Sequence, residues 1–214
     1  ISDQLIIKKI KKENDISPHA LICADDRGLK NDITKLDNYL NHENNSLRTA
    51  YAVTLLSNDK ESKISEELIN RIHKSNIVEN QIELIGFLKR HPHLLSSIYI
   101  SNYLQNGNIE IKNEMLRFLI NNPNISYFNH IFNLMKNPAT EILAAKSLLA
   151  MNKKETFSKL SDIFSASGTK IKSKKLIIKL LHHFINEEVL TLIFTAMDSS
   201  HLSLIDEASN ALIK

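Results

Sequence analysis

One cysteine, four glycines, four prolines and no tryptophan occur in 214 residues. A lone thiol excludes an intramolecular disulfide and any multi-thiolate zinc site. Within the apolar stretch ALICA, Cys23 reads as a small buried hydrophobe. So few glycines and prolines exclude an all-β chain full of tight turns, and also a low-complexity disordered one. No run of 18 uncharged apolar residues is present, so no segment reads as a transmembrane helix. The opening ISDQLIIKKIKK carries charge too early for a signal-peptide core, and a cytoplasmic location is the expectation. A chain that starts at Ile1 rather than Met also reads as a fragment of a longer polypeptide.

The usual local signatures of catalysis are missing as well. Gly28, Gly86, Gly107 and Gly168 never cluster into a loop that could wrap a phosphate. No two histidines stand in HExxH spacing, and adjacent His182 and His183 splay by about 100° on a helix. No GxSxG turn is present. Glu66-Glu67 and Glu187-Glu188 open predicted helices, where negative charge suits the macrodipole. Asp25-Asp26 reads as a loop or capping pair, and His91-Pro92-His93 as a basic helix end. The expectation is a non-enzymatic protein with no catalytic residues, metal, cofactor or small-molecule substrate.

What the chain does contain is periodicity, on a hydrophobic content of 43%. Turn or helix-starting residues fall at Asn14, Asn45, Asn76, Asn108, Asn137, Gly168 and Ser199, about 31 residues apart. Between these marks two amphipathic segments recur: 66–76 then 77–91, 94–108 then 109–122, 125–137 then 138–152, 155–168 then 169–184, and 187–200 then 201–214. An earlier pair, 28–45 and 46–58, places Ile33, Leu36 and Leu40 on one helix face and Leu47, Ala52 and Leu55 on the next. A hairpin of this size cannot bury both apolar faces alone, so neighbours must stack. The predicted fold is an all-α solenoid of seven hairpins forming one domain over 1–214, with units near 1–27, 28–58, 59–91, 92–122, 123–152, 153–186 and 187–214. The first unit, with Pro18 opening its second helix, has the irregularity of a cap.

At LRTAYAVTLL (47–56) and LIDEASNAL (204–212), the second helix resembles that of HEAT-type repeats, with small side chains placed after a branched apolar one and before a leucine. Ala144-Ala145 is similar, and Arg48 stands at the basic position of that pattern. The spacing is similar to that of the short HEAT-like repeats of bacterial proteins, whereas the third, fourth and sixth units carry bulkier residues at the small positions. The resemblance implies a right-handed superhelix whose second helices line a concave groove that holds a protein or peptide, a scaffold role resting on analogy of fold.

Charge is polarised along the chain. Residues 152–183 carry eight lysines against Glu155 and Asp162, while the rest of the chain is net negative. Within KIKSKKLIIKLLHHF (170–184), Lys172, Lys175, Lys179, His182 and His183 share one helical sector. Lys170 and Lys174 lie toward the apolar side, where long stems snorkel outward. Lys146 and Lys153 read as the same sector of the preceding second helix. The candidate partner-binding set is therefore Lys146, Lys153, Lys172, Lys175, Lys179 and His182, facing an acidic protein surface. Nucleic acid on a scaffold like that of HEAT-like DNA glycosylases is the alternative, although the patch is short and poor in aromatics. A spacer in a larger membrane-associated protein is another, with anionic lipid a partner where an anchor precedes Ile1.

Overall fold

Amphipathic segments with almost no internal glycine or proline have one economical way to satisfy their backbone, the α-helix. The computed structural model describes residues 2–11, 17–29, 39, 42–57, 63–75, 77–184 and 187–213. Among these, thirteen α-helices and two short 3₁₀ turns occur and no strand does. The helices are α1 (Asp3–Ile10), α2 (Ser17–Asp26), α3 (Asn45–Ser57), α4 (Lys63–Lys74), α5 (Val78–Leu88), α6 (Ser97–Asn106) and α7 (Ile109–Asn121), then α8 (Phe128–Leu134), α9 (Glu141–Ala150), α10 (Lys153–Ser165), α11 (Ile171–Leu181), α12 (Glu187–Met197) and α13 (Leu202–Ile213). The 3₁₀ turns, Pro92–Leu94 and Ile125–Tyr127, lead into α6 and α8 and fall inside segments expected to be plain helix or loop. The chain divides into two compact units, Ile1–Phe118 and Leu119–Lys214.

In the first unit α1 packs on α2, α2 on α3, and α3 on both α4 and α5. α3 can take so many neighbours because Ala50 and Ala52 are fully buried and let adjacent backbones approach. Leu47, Tyr51 and Val53 fill the space around them. α2 ends at Asp26 with Gly28 in the left-handed region, φ +69°, and Leu29 N–H returns to the Ala24 carbonyl at 3.1 Å. That is the terminal turn for which glycine is the preferred residue. Cys23 is half-buried rather than part of the sealed core, because the inward positions of α2 are taken by Ala20, Leu21, Ile22 and Ala24. The helix expected from Ile33, Leu36 and Leu40, and the marks Asn14 and Asn76, lie outside the described residues.

In the second unit α8 packs on α9, α9 on α10, α10 on α11, and α13 on both α11 and α12. Ile131, Ala144, Leu148, Leu160, Ile177, Ile178, Leu181 and Ala208 have essentially no exposed surface. Burying each such leucine or isoleucine contributes about 1.5–3 kcal/mol. Asparagine sets several helix starts: Asn108 Oδ1 accepts Ile111 N–H at 2.9 Å and Asn152 Oδ1 accepts Glu155 N–H at 3.2 Å. The mark at Asn45 is displaced by one, since Asn44 Oδ1 accepts Leu47 N–H. The α8–α9 and α10–α11 turns are also closed alike. Thr140 Oγ1 donates to the Leu134 carbonyl at 2.5 Å, and Thr169 Oγ1 to the Ile163 carbonyl at 2.5 Å, each reaching six residues back.

Candidate functional site

The basic stripe is built on α11. Leu176, Ile177, Ile178, Leu180, Leu181 and, just past its end, Phe184 are buried, which forces Lys172, Lys179 and His182 outward and leaves Lys175 half-buried. Lys170 is the residue before the helix, and no acidic residue occupies its first turn. Lysines near a helix start oppose the macrodipole and cost the helix a few tenths of a kcal/mol. Lys174 is half-buried, and its Nζ lies 5.0 Å from the centre of the Phe164 ring.

The six expected site residues are not one continuous row. Lys146 is exposed on α9, but Lys153 is the first residue of α10 and not part of the α9 sector, because the α9 helix stops at Ala150 and the chain turns at Met151. Lys153 is instead close enough to His183 to act on it: desolvation first, then the charges of His182 and Lys153, hold the His183 imidazole below its usual pKa. The His182 and His183 rings sit 3.7 Å apart between centroids. At the other end of α11, Lys172 Nζ donates to the Lys136 carbonyl at 3.4 Å. Lys179 pairs with Glu141 at 3.3 Å, an exposed contact between α11 and α9. Of the six, only Lys179 has a carboxylate partner among the described residues.

Among the described residues of this unit three clefts stand out, two of them lined by α11. The largest, about 930 Å³, runs between α10 and α12 over Phe157, Phe184 and Leu192, with Lys153 and Lys154 at one rim and Glu187 and Glu188 at the other. A second of about 560 Å³ is lined by Lys136, Lys170 and Lys172, and a third of about 530 Å³ by Lys170, Lys174 and His201. Lys136 was not singled out from the sequence. It stands 36 residues before Lys172, and only the folding of one hairpin against the next brings the two together.

A separate polar cluster in the first unit also escaped the sequence reading. His73 of α4 stacks on Tyr99 of α6 at 3.7 Å and hydrogen-bonds Tyr103 through Nδ1 at 2.5 Å. Burial lowers the His73 pKa to about 4 and pushes the Tyr103 phenol well above its usual value. Tyr99 Oη donates to Asn70 Oδ1 at 2.8 Å, and Gln81 Nε2 to the Ser75 carbonyl at 2.7 Å. A cleft of about 220 Å³ lies beside it, lined by Ser75, Gln81, Tyr103, Asn106 and Asn108. A neutral imidazole locked between two phenols is suited to fixing helix positions rather than to shuttling protons.

Elsewhere Glu187 and Glu188 open α12 as expected, whereas α4 starts at Lys63, so only Glu66 of the Glu66-Glu67 pair lies in its first turn. His91 precedes the 3₁₀ turn that holds Pro92 and His93. Among the described residues no helix is long and apolar enough to cross a membrane, and no group of three or more His, Cys, Asp or Glu residues could hold a metal ion. Compared with protein-family models and with curated proteins, the chain has no match.

Proposed function

We propose that this chain is a non-enzymatic interaction module, built of stacked helical hairpins like HEAT-type repeats, that binds an acidic surface of a protein partner. The second helices of the C-terminal unit begin at Glu141, Ile171 and Leu202, which supports a repeat of about 31 residues. The twice-used threonine turn supports the same reading. The observation that carries the binding role is how few of these cations are compensated among the described residues. Lys146, Lys153, Lys172, Lys175 and His182 have no carboxylate partner among the described residues, so the field of this end of the molecule is left for an external anion.

The test compares immobilised wild-type chain with Lys172/Lys175/Lys179→Glu in nuclease-treated extract from the source cells. Acidic proteins retained by wild type, released between about 0.15 and 0.5 M salt and lost by the variant support the reading. Identical retention by both proteins overturns it.

A further inference from the structure

Four lysines of the C-terminal unit line clefts at the turns between helices. The clefts of about 560 and 530 Å³ adjoin at the α10–α11 turn, where Thr169 and Lys170 line both. Taken together as a trough, they border the turns inside three hairpins, α8–α9, α10–α11 and α12–α13, with Lys136 at the first, Lys170, Lys172 and Lys174 at the second, and His201 at the third. No aspartate or glutamate lines either cleft; the remaining polar groups are Asn129, Asn133 and several serine and threonine hydroxyls. None of the four lysines has a carboxylate partner among the described residues. Lys136 Nζ is held by Asn133 Oδ1 at 2.6 Å, and the Thr169 hydroxyl pins the central turn, so the charges stand on a fixed floor.

We propose that this trough binds an extended acidic peptide segment, whose carboxylates pair with Lys136, Lys170, Lys172 and Lys174. The proposal rests on reading the basic end as a site for an acidic protein partner, and it moves the centre of that site from the outer stripe to the turns. Neighbouring helices pack about 8–10 Å apart, so three turns span roughly 20 Å, the length of about six extended residues. Side chains of an extended segment alternate, which sets every second carboxylate toward the floor.

Carboxylates fit better than nucleotides. Residues 119–214 contain no arginine, the side chain whose planar fork suits phosphate. The aromatic rings bordering the trough, Phe132 and Phe164, are buried and already covered by Lys136 and Lys174, which leaves no open ring face for a base to stack on.

The test is fluorescence anisotropy with a labelled octaglutamate peptide and, in parallel, a labelled single-stranded oligonucleotide of eight nucleotides. Wild type is compared with Lys136/Lys170/Lys174→Gln in the trough, Lys146/Lys175/Lys179→Gln on the outer stripe, and Lys8/Lys11/Lys112→Gln, which removes equal charge from the other unit. Circular dichroism and thermal melting establish that each variant is folded. The expected result is peptide affinity that weakens with salt and falls about tenfold in the trough variant, with a change under about twofold in the Lys8/Lys11/Lys112 control. Loss in the stripe variant alone overturns the trough while leaving an acidic partner in place. No binding of the peptide by wild type at low salt overturns the acidic-partner reading as well. An oligonucleotide that binds more tightly than the peptide and is lost in the trough variant replaces the proposed occupant with nucleic acid.

Discussion

His73 and Tyr103 meet at 2.5 Å, Nδ1 to Oη, although thirty residues separate them in sequence. His73 is 3% exposed, and its Nε2 is buried with no partner among the described residues. The ring is therefore held neutral, with its pKa lowered from 6.5 to about 4 by desolvation. A group whose folded pKa lies below its unfolded one binds fewer protons in the folded state, so stability rises with pH between the two values. The contribution is complete above about pH 6.5 and is lost as pH falls toward 4. A shift of this size corresponds to roughly 3 kcal/mol. Chemical denaturation at pH 7.5, 5.5 and 4.5 should show that His73→Gln, destabilised at pH 7.5, loses less further stability on acidification than wild type does. Parallel pH profiles for the two proteins would refute the assignment.

Glu114 is the best-compensated carboxylate described. Its side chain is 13% exposed and pairs with Lys89 and, at 3.0 Å, with Arg117. Burial alone would raise its pKa, but the hydrogen bonds and charges of Lys89 and Arg117 outweigh this and lower it. A depressed carboxylate stabilises the fold above its unfolded pKa, and the effect fades as pH falls through its folded one. Glu114→Gln should cost about 2 kcal/mol at pH 7 in urea denaturation, with the difference from wild type shrinking at pH 3–4. A constant difference across that range would count against the ion pairs.

Most of the helical order was legible because each second helix announces itself locally. Ile109–Asn121, Glu141–Ala150, Ile171–Leu181 and Leu202–Ile213 all fall inside the segments marked by Asn108, Asn137, Gly168 and Ser199. The 3₁₀ turns were not legible, since Ile125–Tyr127 is nucleated by one contact, Asn124 Oδ1 accepting Ser126 N–H, that leaves no periodic trace. Helical phase also placed Lys172, Lys179 and His182 on the outside correctly. It could not show that Lys179 faces Glu141 thirty-eight residues away, or that Lys136 belongs beside Lys172. These contacts join successive hairpins at separations near, but not equal to, the period. One usable signal was missed: His73 and Tyr103 occupy first helices one period apart, so a buried histidine could have been sought opposite an aromatic residue.

Thr156 is fully buried, and its Oγ1 has no hydrogen-bond partner among the described residues. An orphaned hydroxyl in a dry core carries a desolvation penalty, and valine has nearly the same shape without it. Thr156→Val should raise stability by about 1 kcal/mol in urea denaturation. Destabilisation of similar size would mean that the hydroxyl has a partner after all.

Gly86 and Gly107 should respond to the same substitution with opposite signs. Gly86 lies on the exposed side of α5, and a Cβ built there meets nothing within 4 Å. Alanine restricts the unfolded chain and favours the helix, so Gly86→Ala should stabilise by up to about 1 kcal/mol. At Gly107, between α6 and α7, a Cβ would stand 2.5 Å from the Tyr103 carbonyl oxygen and 2.9 Å from Ile111 Cγ2. The oxygen belongs to backbone that also accepts Gly107 N–H at 3.2 Å, so neither side can yield without loosening the joint. Gly107→Ala should therefore destabilise by about 1–3 kcal/mol. Melting temperatures that move up for Gly86→Ala and down for Gly107→Ala would establish that the α6–α7 joint depends on close backbone approach. A rise for both would show that the joint has room for a side chain.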